Sequence, residues 1–356
     1  MPEHHHHLAA HDLAGRRAAE AVEPRRPRRW LWLLAALLVV AGLVALRLVT
    51  AEAVTMPDLA GDFVTLSLSV AIEAFPFVVL GVVLSTLVQV WFPQHWLERI
   101  VPQRGIPRRI VLSLLGFFLP VCECGNVPLS RGLMVRGLTP ADSITFLLAA
   151  PILNPVTIIT TQQAFGFDGG ILAARLIGGF VIANVVGWLL SRHPDQDSLL
   201  TARFQDSCAL DRREAEADRG ATAKFQRSAT LSVRELGAML PALLLGSLLA
   251  GAIQVLIPRE WLTALGANPV LSVLAMMALG FVVSICANVD AFFALSFASI
   301  FLPGSIAAFL VFGPMIDIKL LALLRTTFRV RTLVLMTVVV AALSFLLGVV
   351  MNLVGT

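Results

Sequence analysis

Charge is scarce in this sequence: Asp, Glu, Lys and Arg make up 14% of 356 residues, against about 25% in a soluble domain. That is too little polar surface to cover a water-facing globule, and 57% apolar content excludes a disordered tail or a collagen-like fibre. Cysteine is scarce too. Cys122, Cys124 and Cys286 lie in apolar stretches and Cys208 in a polar one, which is no secreted disulfide framework. There is no Gly-x-x-x-x-Gly-Lys phosphate loop, so direct drive by ATP is not expected. The first apolar run lacks a small-residue cleavage site and reads as a retained helix. A net charge of +4 gives no reason to expect a nucleic-acid partner. The arginines stand in short clusters beside apolar runs, where they orient helices in a bilayer.

What the chain does have is roughly 203 apolar residues, and one crossing takes about 20. The expected fold is therefore an all-α polytopic membrane protein of about eight spans plus two broken segments. Spans are expected near residues 30–49, 63–91, 141–161, 171–190, 236–257, 270–285, 306–324 and 333–353. Pro76 interrupts the second span, and Pro151 and Pro155 break the third. Residues 1–29 form a tail whose six arginines argue that the N-terminus is cytoplasmic. A His4 to His7 run there is read as functionally silent rather than as a metal site. An extra N-terminal helix and outer loop occupy 30–62, a first membrane repeat 63–190, a cytoplasmic polar linker 191–234 and a second repeat 235–356. Between Ile110 and Arg131 only ten apolar residues precede the Pro120-Val-Cys-Glu-Cys-Gly-Asn-Val-Pro128 segment. A re-entrant hairpin turning at Cys-Gly-Asn is the economical reading, with a single broken crossing as the alternative.

The repeat is visible directly. Gln89-Val-Trp-Phe-Pro93 matches Gln254-Val-Leu-Ile-Pro258, and Leu115-Gly-Phe117 matches Leu279-Gly-Phe281. Cys124-Gly-Asn-Val-Pro128 matches Cys286-Ala-Asn-Val-Asp290, and the Phe146 to Asn154 run matches Phe309 to Asp317. All four fall in the same order at offsets of about 162–165 residues. The loop after Gln89-Val carries four arginines, while the matching loop 258–269 carries only Arg259 beside Glu260. The two copies are thus expected to be inverted relative to each other. Inverted repeats with paired broken helices point to an alternating-access transporter with a site near the bilayer midplane.

The broken segments place polar groups at membrane depth, where each ionisable residue is a functional candidate. Copy one offers Cys122, Glu123, Cys124, Asn126 and Asn154 for a solute, and copy two offers Cys286 and Asn288. Thiolates prefer soft acceptors such as Cu(I), Zn(II) or a trivalent metalloid, so Cys122, Cys124 and Cys286 could form a three-sulfur site; alternatively each packs where the backbone turns. Asn126 and Asn288 either coordinate the solute or cap freed backbone groups. Glu73, Asp290 and Asp317, with Glu123 and Lys319, are the candidates for proton coupling. Lys319 and Asp317 would point apart on one helix, so each needs a partner elsewhere. Arg175 reads as snorkelling to the outer surface, and Cys208 as a bland loop residue.

Pro-Val-Cys-Glu-Cys-Gly-Asn-Val-Pro followed by Phe-Leu-Leu-Ala-Ala-Pro-Ile-Leu-Asn-Pro resembles the predicted permease family that includes the YraQ-type permeases and the organoarsenical efflux permeases. The resemblance covers nearly all of residues 63–354. It implies a bacterial inner-membrane permease that is not an enzyme and needs no cofactor. The cysteines would be the natural ligands of an exported trivalent arsenical. Glu123 stands where that family commonly has a small residue, which leaves a metal ion or another thiol-reactive solute open as cargo. The partners expected are the lipid bilayer, that small soft solute, and a second subunit or second copy. An intramembrane thiol redox enzyme and a channel-like subunit are the competing readings.

Overall fold

The computed structural model describes residues 58–92, 101, 102, 105–118, 121–166, 170–217, 221–256 and 268–354. The expected span 30–49 and the histidine run lie outside the described residues. Within them the chain is helical, and one isolated backbone bridge, Leu200 to Phe328, is the sole extended pairing.

The first half opens with α1, Asp58–Val90. Its 33 residues extend about 50 Å at the usual rise, well beyond a hydrocarbon core of about 30 Å, so it tilts or projects. Pro76 is accommodated inside it. Four shorter helices follow: α2 (Ile106–Phe118), α3 (Glu123–Val135), α4 (Pro140–Ala149) and α5 (Pro155–Phe165). The helix α6, Ile171–Ser191, carries a π-helical turn at Ala174–Gly178. Thr139 caps α4 by accepting from Asp142 N at 3.2 Å, and Pro140 begins the helix. A proline at the first helical position lacks only an N–H that would have no partner there.

The second half differs from expectation at its start. The 191–234 segment, expected as a loop, contains α7 (Ala202–Ala217), and α8 runs unbroken over Ala221–Leu256. Hydropathy alone starts that span near residue 236, but residues 221–235 contain no Gly or Pro, and nine of the fifteen are the good helix formers Ala, Leu, Lys, Gln, Arg and Glu. Thr86 on α1 and Trp91 just past its end hold it in place, bonding Ser232 at 3.1 Å and Ser228 at 3.2 Å. Cys208, on α7, is buried and packs in the core. Next come α9 (Leu271–Val283), α10 (Asp290–Leu295), α11 (Pro303–Met315), α12 (Ile318–Leu324) and α13 (Val330–Val354).

By length and composition, five segments among the described residues can cross a membrane: Ala60–Val90, Ile171–Ser191, Thr222–Val255, Pro303–Leu324 and Val330–Val354. The pairs α2–α3, α4–α5 and α9–α10 are half-length helices meeting at breaks. The long helix α1 packs against both α8 and α3. Contact with α3 is close because two glycines face each other. A Cβ on Gly81 would stand 2.1 Å from the Gly125 carbonyl oxygen. Small residues at such crossings let backbones approach where apolar solvent offers no hydrophobic drive. One core cluster joins Val78, Cys122 and Ile182 of the first half to Met239, Cys286 and Phe312 of the second.

Candidate functional site

Two breaks build the centre. At the first, Cys122 precedes α3 and its carbonyl accepts from Gly125 N and Asn126 N, each at 3.1 Å. Cys-Gly-Asn therefore forms the first turn of α3 rather than a bend between helices. At the second, α9 ends at Ser284, which adopts a left-handed φ of 53°, uncommon for a residue with a Cβ. The Cys286 carbonyl then accepts from Val289 N at 3.0 Å and Asp290 N at 3.1 Å, and α10 begins.

These two starts bring Cys122, Glu123 and Cys286 together in the interior. Both sulfurs and a Glu123 carboxylate oxygen lie within 4.8 Å of one another. The Cys286 thiol donates to Glu123 Oε2 at 3.8 Å. Lys319 Nζ donates to Glu123 Oε1 at 3.3 Å and to the Ser284 carbonyl at 3.1 Å. Glu123 and Lys319 side chains are each 1% exposed. A buried carboxylate is costly unless paired and hydrogen-bonded, and here the ammonium and a thiol supply both needs. Cys124 is also buried beside the Cys122 thiol but stands outside the compact trio. Glu73, half-buried on α1, faces the backbone N–H of Cys286.

Capping positions the rest. Asn154 and Asp317, which occupy matching places in the two copies, cap the matching helices α5 and α12. Asn154 Oδ1 accepts from Val156 N at 2.9 Å, and Asp317 Oδ1 from Leu320 N at 2.5 Å. Asp317 therefore lies off the helix that carries Lys319, and its first contact is local. Asn126 and Asn154 both donate to the Val121 carbonyl at 3.4 Å, so the two breaks of the first half meet there. Asn126 Oδ1 and Asp317 Oδ2 are buried acceptors with no hydrogen-bond donor among the described residues. Asn288 accepts from the Thr157 hydroxyl at 3.4 Å.

Arg175 does not snorkel. Its side chain is 0% exposed and grips Asp290 through both guanidinium ends, at 2.9 Å and 2.6 Å, while donating to Thr161 at 2.8 Å. An arginine near a helix end reads as interfacial until a partner on another helix is known, and only the fold supplies Asp290. Arg131, which follows the first break in the sequence, is a second buried arginine. It belongs to α3, all of which is buried. It donates to Glu235 on α8 at 2.9 Å and to Thr327 at 3.0 Å, and lies 4.3 Å from the Phe204 ring centroid. Its signal in the sequence was its place eight residues after Glu123, the spacing of roughly two helical turns.

Chemically, two thiols and a carboxylate at this spacing form a soft donor set, and Lys319 is a fixed positive charge beside it. A divalent ion binding as a thiolate complex would release the two thiol protons. A trivalent methylarsenical bearing two hydroxyls would instead condense with both thiols, forming two As–S bonds and releasing two waters.

Residues 59–353 match the family described as predicted permease. The UPF0718 protein YcgR of Bacillus subtilis is 35% identical over 266 residues, covering 74% of this chain and 88% of the relative. A Streptococcus mutans protein, named as a subunit of a two-component membrane permease complex, is 31% identical over 268 residues, covering 74% of this chain and 86% of the relative. The UPF0718 protein YraQ of Escherichia coli is 31% identical over 117 residues, covering 32% of each chain. No solved structure matches.

Proposed function

This chain belongs to the predicted permease family, and from that premise we propose that it is a secondary transporter exporting a small soft or thiol-reactive solute across the inner membrane. One observation carries the reading: two thiols and a carboxylate, contributed by both halves of the chain, converge within 4.8 Å in the buried centre. A packing role for Cys122 and Cys286 would not require a carboxylate between them. Cargo is an organoarsenical-like solute or a soft metal ion, held by Cys122, Cys286 and Glu123. Cys124 and the unpartnered acceptors on Asn126 and Asp317 stand by as further donors, and Asn154 and Asn288 hold the surrounding breaks.

Proton coupling follows from charge balance. When Glu123 takes a proton, Lys319 loses its counter-charge, and cargo release becomes linked to proton entry. Glu73, Asp290 and Asp317 are the further carboxylates on this route. The matching half-helices of the two copies support the inverted repeat, with the cytoplasmic face at the end bearing Arg108, Arg131 and Arg325.

Cellular accumulation of methylarsenite, arsenite and zinc in an efflux-deficient bacterial strain tests this. Intact protein should lower one of the three, and Cys122→Ser/Cys286→Ser should abolish the effect. Export that survives the double substitution would remove the sulfur site. A second reading, a membrane subunit that works only with a partner protein, is favoured by the name of the Streptococcus relative. A second polypeptide co-purifying stoichiometrically, with no transport by this chain alone, would decide for it.

A further inference from the structure

A cavity of about 630 Å³ opens at the arginine-rich end of the bundle, between α7, α8 and the turn after α12. Arg131, Arg203, Arg234 and Arg325 line it with a single carboxylate, Glu235. Two of these cations are already matched: Arg131 by Glu235 and Arg234 by Asp211. Arg203 and Arg325 are exposed and have no side-chain partner among the described residues. The cavity thus holds two uncompensated guanidiniums at its mouth, with the Thr326 and Ser207 hydroxyls beside them.

Its other wall is apolar. Gly237, Pro241 and Leu245 line it at every fourth position of α8, one above another on one face. Leu245 is 57% exposed, and Leu248 and Leu249 beside it are exposed as well. The cavity therefore opens from a polar, cationic mouth onto a stripe that faces the hydrocarbon. A soluble anion would use only the mouth. A molecule with a phosphate at one end and a chain at the other uses both.

We propose that this cavity binds the phosphate of an anionic phospholipid, the headgroup on Arg203 and Arg325 and an acyl chain along the Gly237–Pro241–Leu245 stripe. Basic pockets between helices at the membrane edge attract such headgroups, because guanidiniums pair phosphate oxygens in a bidentate way. The site is separate from the thiol centre and stands whatever the cargo is. Its occupant would brace α7 against α8, the two helices that carry Phe204 and Glu235 to Arg131.

The test is lipid binding to the full-length purified protein in mixed micelles, with phosphatidylglycerol, phosphatidylcholine and inorganic phosphate as probes. Phosphatidylglycerol should bind more tightly than phosphatidylcholine. Arg203→Ala/Arg325→Ala should weaken phosphatidylglycerol binding by about 30-fold, roughly fivefold for each arginine, and Arg203→Lys/Arg325→Lys, which keeps the charges but not the bidentate fork, should restore only part of it. Both residues are exposed, so the variants should elute like the parent on size exclusion. Leu245→Trp should weaken phosphatidylglycerol but not inorganic phosphate. Equal binding of the two lipids, or a double alanine variant that keeps phosphatidylglycerol, would overturn the proposal. So would inorganic phosphate displacing phosphatidylglycerol completely at equal concentration, because the site would then be one for a soluble anion.

Discussion

Removing Asp290 should unfold this protein far more readily than removing Asp290 and Arg175 together. In the parent the Arg175 guanidinium is sealed from solvent, and its contacts are Asp290, Thr161 and, at 3.5 Å, the Ala287 carbonyl. Asp290→Leu leaves that charge with one hydroxyl and one distant carbonyl. Stranding a buried charge in this way costs about 3–5 kcal/mol, whereas exchanging both members for apolar residues of similar volume is near neutral. At about 2–4 °C per kcal/mol for larger domains, the single variant should lose about 6–20 °C in the midpoint of heat-induced loss of monodisperse protein. Arg175→Leu/Asp290→Leu should recover most of that loss. The assay is a temperature series in detergent, read by size exclusion, for the parent, both single variants and the double. A single Asp290→Leu protein as stable as the parent would refute the reasoning. A double variant no better than the worse single would also refute it, because the pair would then be held by something other than its own two charges.

Three further outcomes follow from the same geometry. If Cys122 and Cys286 are as close as 4.8 Å, Hg(II) should bridge them, and protein cut within residues 218–220 should migrate as one band on a non-reducing gel; Cys286→Ser should abolish the bridge. Lys319→Met strands Glu123 and should destabilise by about 3–5 kcal/mol, with Glu123→Gln in the same chain relieving most of the loss; thermal midpoints decide. Gly81→Ala forces a Cβ to 2.1 Å from a backbone carbonyl, while an added Cβ at Gly61 meets nothing within 4 Å. Overpacking costs about 1–3 kcal/mol or more, so the yield of folded Gly81→Ala protein should fall and that of Gly61→Ala should not.

Composition and periodicity were enough to identify the membrane class, the positions of most helices and both broken segments, because hydrocarbon permits few backbone solutions. Asn154 and Asp317 align in the sequence matches but were assigned different roles, solute binding and proton coupling; the fold shows that both cap a helix. Three things were hidden. The polar start of α8 is helical through intrinsic propensity and contacts from Trp91 and Thr86, neither of which hydropathy measures. Arg175 could not be distinguished from a snorkelling side chain without knowing that Asp290 lies opposite. And the thiol pairing depends on where each helix begins. Cys124 and Cys286 align in sequence, yet α3 starts one residue before Cys124, and α10 four residues after Cys286. The hydrogen-bonded turns nevertheless open at Cys122 and at Cys286, whose carbonyls each accept from the amides three and four residues on, so Cys122, not Cys124, is the structural counterpart of Cys286.

The buried ion pairs share a feature that bears on how such a protein could move. Arg175–Asp290, Glu123–Lys319 and Arg131–Glu235 each join a residue of the first half to one of the second. Arg175 lies near the start of α6, and Arg131 at the opposite end, where it donates to Thr327, whose carbonyl accepts from Thr201 N in the segment that follows α6. Between those levels α6 extends about 24 Å, so one pair closes each end and the third sits with the thiols between them. In hydrocarbon a stranded charge cannot be rescued by water, so the halves cannot slide apart at one end unless that pair is hydrated as it opens. Water reaching one end while the other stays dry is the condition alternating access requires. On the proposed reading, the outer and inner pairs thus serve as latches, and neutralising only Arg131 and Glu235 should leave the centre reachable by a membrane-impermeant thiol reagent from that side alone. Labelling of Cys122 from the opposite side in that variant would show that the pairs are cement rather than latches.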